Sequence, residues 1–262
     1  MTAVNIGPGT HATPERRACV VQLDELAGAA AAGDTASTRV VYDAATGCSQ
    51  LVQHVVEFGA GLCAPRSPGV CDEVLFVLSG HGVLHLAGHA HALEPEAGAY
   101  IRPGESYQVE ATGGMPLVVH SVTVPVPPAD VETAGRQVVV RLADQEARAA
   151  TGARQFRLVT DPCVGCASVT QFVGYIPPGR APDHFHTYDE VIVVLAGQGE
   201  LHIGDVHEPL RRGSCIHLTP RLVHSLENHG DSTMRVLGIF RPAGSPAEAY
   251  YPDGTLAFDD KK

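Results

Sequence analysis

Two stretches of the chain decide its fold: DEVLFVLSGHGVLHL, from Asp72 to Leu86, and DEVIVVLAGQGELHI, from Asp189 to Ile203. They align without a gap, and the second starts 117 residues after the first. Each contains short runs of Val, Leu and Ile around a Gly-x-Gly turn, which is typical of β-strands joined by a hairpin. The sequence therefore predicts two copies of one β-rich unit.

The repeat extends over most of the chain. Upstream, VVYDAATGC ending at Cys48 matches RLVTDPCVGC ending at Cys166, and QHVVEFGAG ending at Gly61 matches QFVGYIPPG ending at Gly179. Each copy is a series of short apolar runs broken by Gly, Pro and Asp, which predicts an all-β sandwich or barrel. A helix is indicated only by the Ala-rich DELAGAAAAG near residue 24 and by SPAEAYY near residue 245.

The Pro-rich stretch PVPPADVETAG separates the two copies and has no periodic pattern. Such a composition favours an extended connection. We therefore predict an N-terminal domain of residues 1–124, a linker of residues 125–135 and a C-terminal domain of residues 136–262.

The amino-acid composition limits the kinds of partner that this protein is expected to bind. The formal net charge is −11, which argues against nucleic acid because phosphate binding needs clustered Lys and Arg. No apolar stretch approaches the ~18 residues of a membrane span, and the first residues lack the pattern of a secretory signal. The seven cysteines are then expected to be free thiols in a reducing compartment, so we expect a cytoplasmic protein that acts on a small molecule.

A set of metal-ligand residues lies in the second copy. His184 and His186 are alternate residues and project to the same side of an extended segment, and Glu190 has the same parity. His224 comes from a distant segment, GSCIHLTPRLVHSLEN. Three neutral imidazoles and a carboxylate suit one divalent transition metal: Fe, Mn, Ni, Cu, Co or Zn. This pattern predicts a metal site rather than four unrelated surface side chains.

These residues carry a family resemblance. The segment HFHTYDE and the segment PRLVH, from Pro220 to His224, resemble the two signature motifs of the cupin superfamily, and the whole chain resembles a bicupin. The second motif is one residue shorter between Pro and His than the common form. The resemblance implies two tandem jelly-roll barrels of the double-stranded β-helix type, and a homodimer formed through their sheets.

The first copy lacks this ligand set. Glu73 stands at the place of the glutamate, whereas Ser67, Gly69 and Tyr107 stand at the places of the three histidines. A lone carboxylate with these neighbours cannot replace three imidazoles. We therefore predict that the N-terminal barrel holds no metal and serves as a scaffold, a dimer surface or a second ligand pocket.

Several weaker candidates surround the second motif. Arg180, Tyr188 and His217 are candidate catalytic residues, although a solvated loop or a structural role explains them equally well. The C-terminal stretch FRPAGSPAEAYYPDG either folds back as a lid that carries Tyr250 and Tyr251 or packs against a partner.

Three functions remain open. Small bicupins with three His and one Glu resemble quercetin-type dioxygenases, so we predict a dioxygenase-type oxidoreductase that acts on a small organic molecule in the C-terminal barrel. The first alternative is an oxygen-independent hydrolase, decarboxylase or isomerase; bicupins similar to (S)-ureidoglycine aminohydrolase share this length, but their ligand motif does not begin with His-x-His. The second alternative is a non-enzymatic small-molecule-binding cupin. Fold and ligand set do not determine the chemistry, and the sequence names no substrate.

Overall fold

The computed structural model describes residues 2–4, 18–126, 133 and 135–257. These residues form β-strands and four short 3₁₀ helices, with no α-helix among them, so the all-β prediction is confirmed. The helix predicted in the Ala-rich segment is wrong: a 3₁₀ helix at Leu23–Glu25 leads into a two-residue strand at Ala29–Ala30. The Gly residues at 28 and 33 leave too few residues between them to nucleate a helix.

The first repeat contains twelve strands among the described residues. They are β1 Thr2–Val4, β2 Ala18–Gln22, β3 Ala29–Ala30, β4 Ala36–Tyr42, β5 Val52–Phe58, β6 Gly61–Leu62, β7 Cys71–Ser79, β8 Gly82–Leu86, β9 His89–Leu93, β10 Ala97–Ile101, β11 Tyr107–Ala111 and β12 Leu117–Pro125.

The second repeat follows the same order with eleven strands. They are β13 Val139–Arg141, β14 Arg148–Ala149, β15 Gln155–Thr160, β16 Thr170–Ile176, β17 Gly179–Arg180, β18 Asp189–Ala196, β19 Gln198–Ile203, β20 Val206–Arg211, β21 Ser214–Leu218, β22 Ser225–Asn228 and β23 Met234–Arg241. The remaining 3₁₀ helices are Ala44–Thr46, Leu142–Asp144 and Pro162–Val164.

The repeated Asp-to-Gly-Cys stretches build the same turn in both copies. Asp43 accepts a hydrogen bond from the backbone N–H of Thr46, and Asp161 accepts one from Cys163, so each carboxylate caps a 3₁₀ helix. Each helix ends at a glycine in the left-handed region, Gly47 with φ of 87° and Gly165 with φ of 94°. The sequence match therefore reflects a shared turn geometry.

The N-terminal barrel consists of a seven-stranded and a three-stranded sheet. Their strand orders are β13-β10-β7-β12-β5-β4-β3 and β11-β8-β9. Side chains from both sheets fill the interior, among them Phe58, Leu84, Ile101 and Leu117, all at most 2% exposed. The barrel is thus closed around a packed apolar core.

The C-terminal barrel consists of an eight-stranded and a four-stranded sheet. Their strand orders are β1-β2-β21-β18-β23-β16-β15-β14 and β17-β22-β19-β20. Leu201, Ile216 and Met234 are fully buried between these sheets. Four members of this apolar cluster, Ile176, Ile192, Leu226 and Val236, also line the cavity that the predicted ligand residues share.

The two compact units are not continuous along the chain. One comprises the described parts of Met1–Gln22, Glu146–Arg157 and Phe172–Lys262, and the other comprises Leu23–Gln145 and Leu158–Gln171. Strand β2 pairs with β21, and β13 pairs with β10, so each of these two early strands joins the sheet built mainly by the other repeat.

The predicted linker lies mostly outside the described residues, since 127–132 and 134 belong to it. The boundaries 1–124, 125–135 and 136–262 stay a prediction. No helix of the described chain has the length and apolar character needed to cross a membrane.

Candidate metal centre

Three of the predicted ligands converge in the C-terminal barrel. His184, His186 and His224 each offer a ring nitrogen, and these atoms all lie within 4.8 Å of one another. The ring centroid of His184 lies 5.0 Å from that of His186 and 4.6 Å from that of His224. Residues 40 positions apart in sequence therefore share one cluster.

The backbone explains this convergence. His184 and His224 form an antiparallel bridge with N–H to carbonyl distances of 3.0 and 2.8 Å in the two directions. The two histidines of the first motif precede β18 rather than lying on it, but their alternation holds: Phe185, between them, stacks on Tyr250 with ring centroids 5.6 Å apart.

The short second motif closes through a strained turn. Arg221 has φ of 63°, in the left-handed region that non-glycine residues rarely adopt. Its backbone N–H donates to the carbonyl of His186 at 2.7 Å. The missing residue between Pro220 and His224 is thus accommodated by the backbone of Arg221, and this turn ties the two motifs together.

Each imidazole is held by a backbone carbonyl. The Nδ1 atoms of His184, His186 and His224 lie 2.9, 2.8 and 2.9 Å from the carbonyl oxygens of Pro182, Glu248 and Leu222, respectively. A carbonyl can only accept, so each Nδ1 carries the proton and each Nε2 keeps a free lone pair. Histidine ligands of protein metals are oriented by such hydrogen bonds.

Burial keeps the three imidazoles neutral. It lowers the pKa of His184, lowers the pKa of His186 to about 3 and lowers the pKa of His224 well below its usual value. The neighbouring imidazoles add to this effect at His186 and His224. Neutral imidazole is the form that binds a metal ion.

Glu190 lines the same cavity but stands apart from the cluster of ring nitrogens. It is 3% exposed and has no hydrogen-bond partner among the described residues. Burial, with a smaller contribution from the Asp189 carboxylate, raises its pKa to about 8. A buried carboxylate without a donor is costly unless a cation or a proton neutralises it, so its environment fits a metal ligand.

The cavity between these residues has a volume of about 100 Å³. Its wall is mainly apolar and aromatic, with two Phe rings packed edge to face at a centroid distance of 6.3 Å. The apolar lining residues are Phe156, Phe172, Ile176, Ile192, Leu226 and Val236. Such a lining admits a small molecule and limits the access of water.

Arg154 is the feature of this cavity that sequence reasoning missed. It lies in the turn between β14 and β15, lines the cavity and donates from Nη2 to the carbonyl of Leu226 at 2.9 Å. Burial lowers its pKa to about 10, so it stays charged at neutral pH. No carboxylate of the described chain pairs with it. An isolated arginine 30 residues before the first histidine carries no motif that would identify it.

The C-terminal stretch folds back over the centre. The backbone of Tyr250 pairs with that of Phe185 in both directions, at 2.8 and 2.9 Å. Pro246 and Ala249 line the cavity, and the carbonyl of Glu248 holds His186. Of the two arrangements predicted for this stretch, the structure has the one that covers the site.

The three candidate catalytic residues do not line the cavity. Arg180 contacts Ser225 and Asp183 at 2.9 and 2.7 Å on the surface. Tyr188 is buried, with its ring stacked on His186 at a centroid distance of 4.6 Å. His217 lies in β21 with Nε2 2.8 Å from Asp189 Oδ1. Tyr188 thus packs against a predicted ligand, and a catalytic role for any of the three stays a prediction.

The corresponding position of the N-terminal barrel is filled by protein groups. Glu73 is buried and accepts hydrogen bonds from Tyr107 at 3.0 Å and from Ser121 at 2.5 Å. Tyr107 pairs through its backbone with Arg66, as His224 pairs with His184. The residue that replaces the first histidine is therefore Arg66, one position before the Ser67 of the gap-free alignment. The hydroxyl groups satisfy the carboxylate that would otherwise need a cation.

The comparisons with known proteins agree with this architecture. The family model described as Cupin domain matches residues 172–240, within the C-terminal barrel. The protein SchB of Streptomyces halstedii is 33% identical over 82 residues, which cover 30% of this chain and 59% of SchB. The chain thus matches less than two thirds of that relative.

Two solved structures cover nearly the whole chain. Ylba from E. coli superimposes with a TM-score of 0.73 at 13% sequence identity, and the match covers 86% of this chain and 90% of the Ylba chain. A variant of oxalate decarboxylase from Bacillus subtilis superimposes with a TM-score of 0.69 at 12% sequence identity, and the match covers 89% of this chain and 79% of the decarboxylase chain. At these identities the likeness establishes the fold alone. The chain therefore has the fold of two tandem jelly-roll barrels, and residues 172–240 of the second barrel match the Cupin domain.

Proposed function

We propose that the C-terminal barrel binds one divalent transition metal through His184, His186, His224 and Glu190, and that the protein is a metal-dependent enzyme. The observation that carries this proposal is the orientation of the imidazoles: three Nδ1 atoms are held by carbonyls, which leaves three Nε2 lone pairs directed at one cavity. A bound metal would supply Lewis-acid or redox chemistry there.

The substrate class follows from Arg154. It is a guanidinium beside the imidazole cluster, with one hydrogen bond to a backbone carbonyl and unused donors. Its charge depresses the pKa of His184, His186 and His224, which places it electrostatically close to all of them. We infer that Arg154 binds a carboxylate or another anionic group of a small organic substrate.

The favoured reaction is a dioxygenase-type oxidation. Apart from the four proposed ligands, the described lining residues include no Asp, Glu, His, Lys or Cys, and Tyr175 is the one other lining side chain of a type that commonly transfers protons. A hydrolase or isomerase needs a side chain that moves protons, whereas oxidation of a metal-bound substrate by O₂ does not require one in the wall. The apolar wall also protects reactive intermediates from water.

An oxygen-independent hydrolase, decarboxylase or isomerase is the second candidate. Glu190 lies outside the group of ring nitrogens within 4.8 Å, and its pKa of about 8 is in the range of a general acid or base. Three imidazoles alone would then hold the metal, as in other catalytic sites with open positions. The structural likeness to a protein named oxalate decarboxylase is compatible with this chemistry.

Metal analysis followed by O₂-uptake measurements tests the proposal. We expect the purified protein to contain a transition metal and the Fe- or Cu-loaded form to consume O₂ in the presence of its small carboxylate substrate. A protein that converts substrate with no O₂ uptake under air, and equally fast under nitrogen, would support the second candidate. A protein that binds none of the six metals would contradict both.

Replacing Arg154 by methionine tests the anion site. The change keeps the apolar stem and removes the charge, so we expect at least about a 10-fold loss of affinity for small carboxylates, because hydrogen bonds to charged groups contribute ~1.5–3 kcal/mol. Calorimetric titration of the Co²⁺-loaded protein with oxalate measures this loss, with the neutral oxamide as reference ligand. Arg180→Met, on the surface, is the matched control. Equal oxalate affinity in both variants would exclude Arg154 from binding.

A further inference from the structure

A second group of histidines and glutamates lies on the four-stranded sheet of the C-terminal barrel. Strands β19, β20 and β22 contribute Glu200, His202, His207 and Glu227, and His229 directly follows β22. Leu201 and Ile203, which alternate with them along β19, point into the apolar core. The group therefore lies on the face of the sheet opposite the core, apart from the cavity described above.

Three donor atoms of this group, from Glu200, His202 and His207, lie within 4.8 Å of one another, as the ligands of one cation do. His202 Nε2 is 3.4 Å from Glu200 Oε2, and His207 Nδ1 is 3.3 Å from the same oxygen. Ligands about 2.0–2.1 Å from a Zn²⁺ ion are about 3.3–3.4 Å from each other in a tetrahedron. Glu227 Oε2 lies 2.8 Å from His202 Nε2, which is a hydrogen-bond distance, and it belongs with Glu200 and His229 to a neighbouring group of donor atoms.

The two carboxylates are placed where they repel each other. Glu200 and Glu227 are direct partners in the β19–β22 register, and like charges opposite each other destabilise a sheet. Both are only partly exposed, with side-chain exposures of 27% and 28%, respectively. His202 is 4% exposed and lies between them. A cation bound beside Glu200 would offset the repulsion between the two carboxylates.

The first repeat contains only part of this group. His85 and Glu110 correspond to His202 and Glu227 and lie 3.3 Å apart. Val83, Ala90 and Thr112 stand where the second repeat has Glu200, His207 and His229. A His–Glu pair is thus compatible with the sheet without further ligands, and the three extra residues are specific to the C-terminal barrel.

We propose that Glu200, His202 and His207 form a second divalent-cation site, suited to Zn²⁺ by its two nitrogen donors and one oxygen donor, with the Glu227 carboxylate beside it. His229, whose Nε2 is 3.5 Å from Glu227 Oε2, orients that carboxylate. The site joins β19 and β20, and the hydrogen bond between His202 and Glu227 links it to β22, which begins directly after His224. It does not depend on the proposed function of the cavity.

Zn²⁺ titration in a His184→Ala background tests the site, because that background removes a ligand of the cavity. We expect about one Zn²⁺ per chain by calorimetry, a rise in Tm on Zn²⁺ addition, and at least about a 100-fold loss of affinity on adding Glu200→Gln and His207→Ala. The matched control adds His85→Ala and Glu110→Gln instead, and it should leave Zn²⁺ binding unchanged.

Two results would overturn the proposal. One is that the His184→Ala protein binds no Zn²⁺; the other is that it binds Zn²⁺ equally well with and without Glu200 and His207. Both residues lie toward solvent, and circular dichroism checks the fold of the variants. If the combined variant does not fold, His207→Ala alone, with 47% of its side chain exposed, must still weaken Zn²⁺ binding.

Discussion

His184→Ala is expected to weaken metal binding in the cavity by at least about 100-fold. Loss of a residue that merely orients a ligand typically costs 10–100-fold in affinity, and His184 would be a ligand itself. It also forms the bridge to His224 through its backbone, which alanine preserves. The expected loss is therefore a loss of a donor atom and not of the fold.

The measurement is a titration with Co²⁺ or Mn²⁺ in a Glu200→Gln, His207→Ala background, so that the outer sheet does not contribute. His81→Ala, exposed in the hairpin of the N-terminal barrel, is the matched control and should bind as the parent does. Unchanged affinity in the His184→Ala protein would rule out the proposed ligand set. Urea unfolding verifies that both proteins have comparable stability.

Glu190→Gln is expected to change metal affinity and stability in opposite directions. The amide removes the charge that attracts the cation, so metal binding should weaken by at least about 10-fold. The metal-free protein should instead become more stable at pH 8 by a few kcal/mol, because the buried carboxylate of Glu190 has no partner among the described residues and one pKa unit corresponds to ~1.4 kcal/mol.

The pH dependence has a definite sign. The pKa of Glu190 is raised from 4.5 to about 8 in the folded protein, so the unfolded chain releases this proton first as the pH rises. The stability of the metal-free protein that derives from protonated Glu190 is complete below pH 4.5 and is lost up to about pH 8. In the glutamine variant this loss is absent.

Urea unfolding of both metal-free proteins at pH 5 and pH 8 measures the effect. The difference between the proteins isolates Glu190, because the histidines with lowered pKa contribute equally to both and in the opposite direction, losing stability as the pH falls below 6.5. Glu110→Gln, on the surface of the N-terminal barrel, serves as control. If the free energy of unfolding changes equally between pH 5 and pH 8 in the wild type and in Glu190→Gln, the inference that Glu190 is an unpaired buried charge is wrong.

The glutamine variant also separates the two candidate functions. Weakened metal binding supports Glu190 as a ligand rather than as a general acid or base, which favours the dioxygenase. Retained metal with lost turnover supports a general acid or base and favours the oxygen-independent enzyme.

Local patterns in the sequence determined the fold and most of the predicted site. Strand periodicity and turn residues act over a few positions, so a 15-residue match between Asp72–Leu86 and Asp189–Ile203 was enough to identify the duplicated β unit. The alternation of His184 and His186 likewise follows from the two-residue period of an extended chain. The missing imidazoles in the first copy were visible by alignment alone.

Only the tertiary structure decided what surrounds these residues. It brought Arg154 to the cavity, placed the carbonyl of Glu248 on His186 and put Arg66 rather than Ser67 opposite Tyr107. It also assembled the outer group on β19, β20 and β22 and exchanged the early strands β2 and β13 between the repeats. Each of these contacts joins segments far apart in sequence, where no local period relates one residue to the other. Register, chain reversal and burial set such contacts, and these arise only when the whole barrel closes.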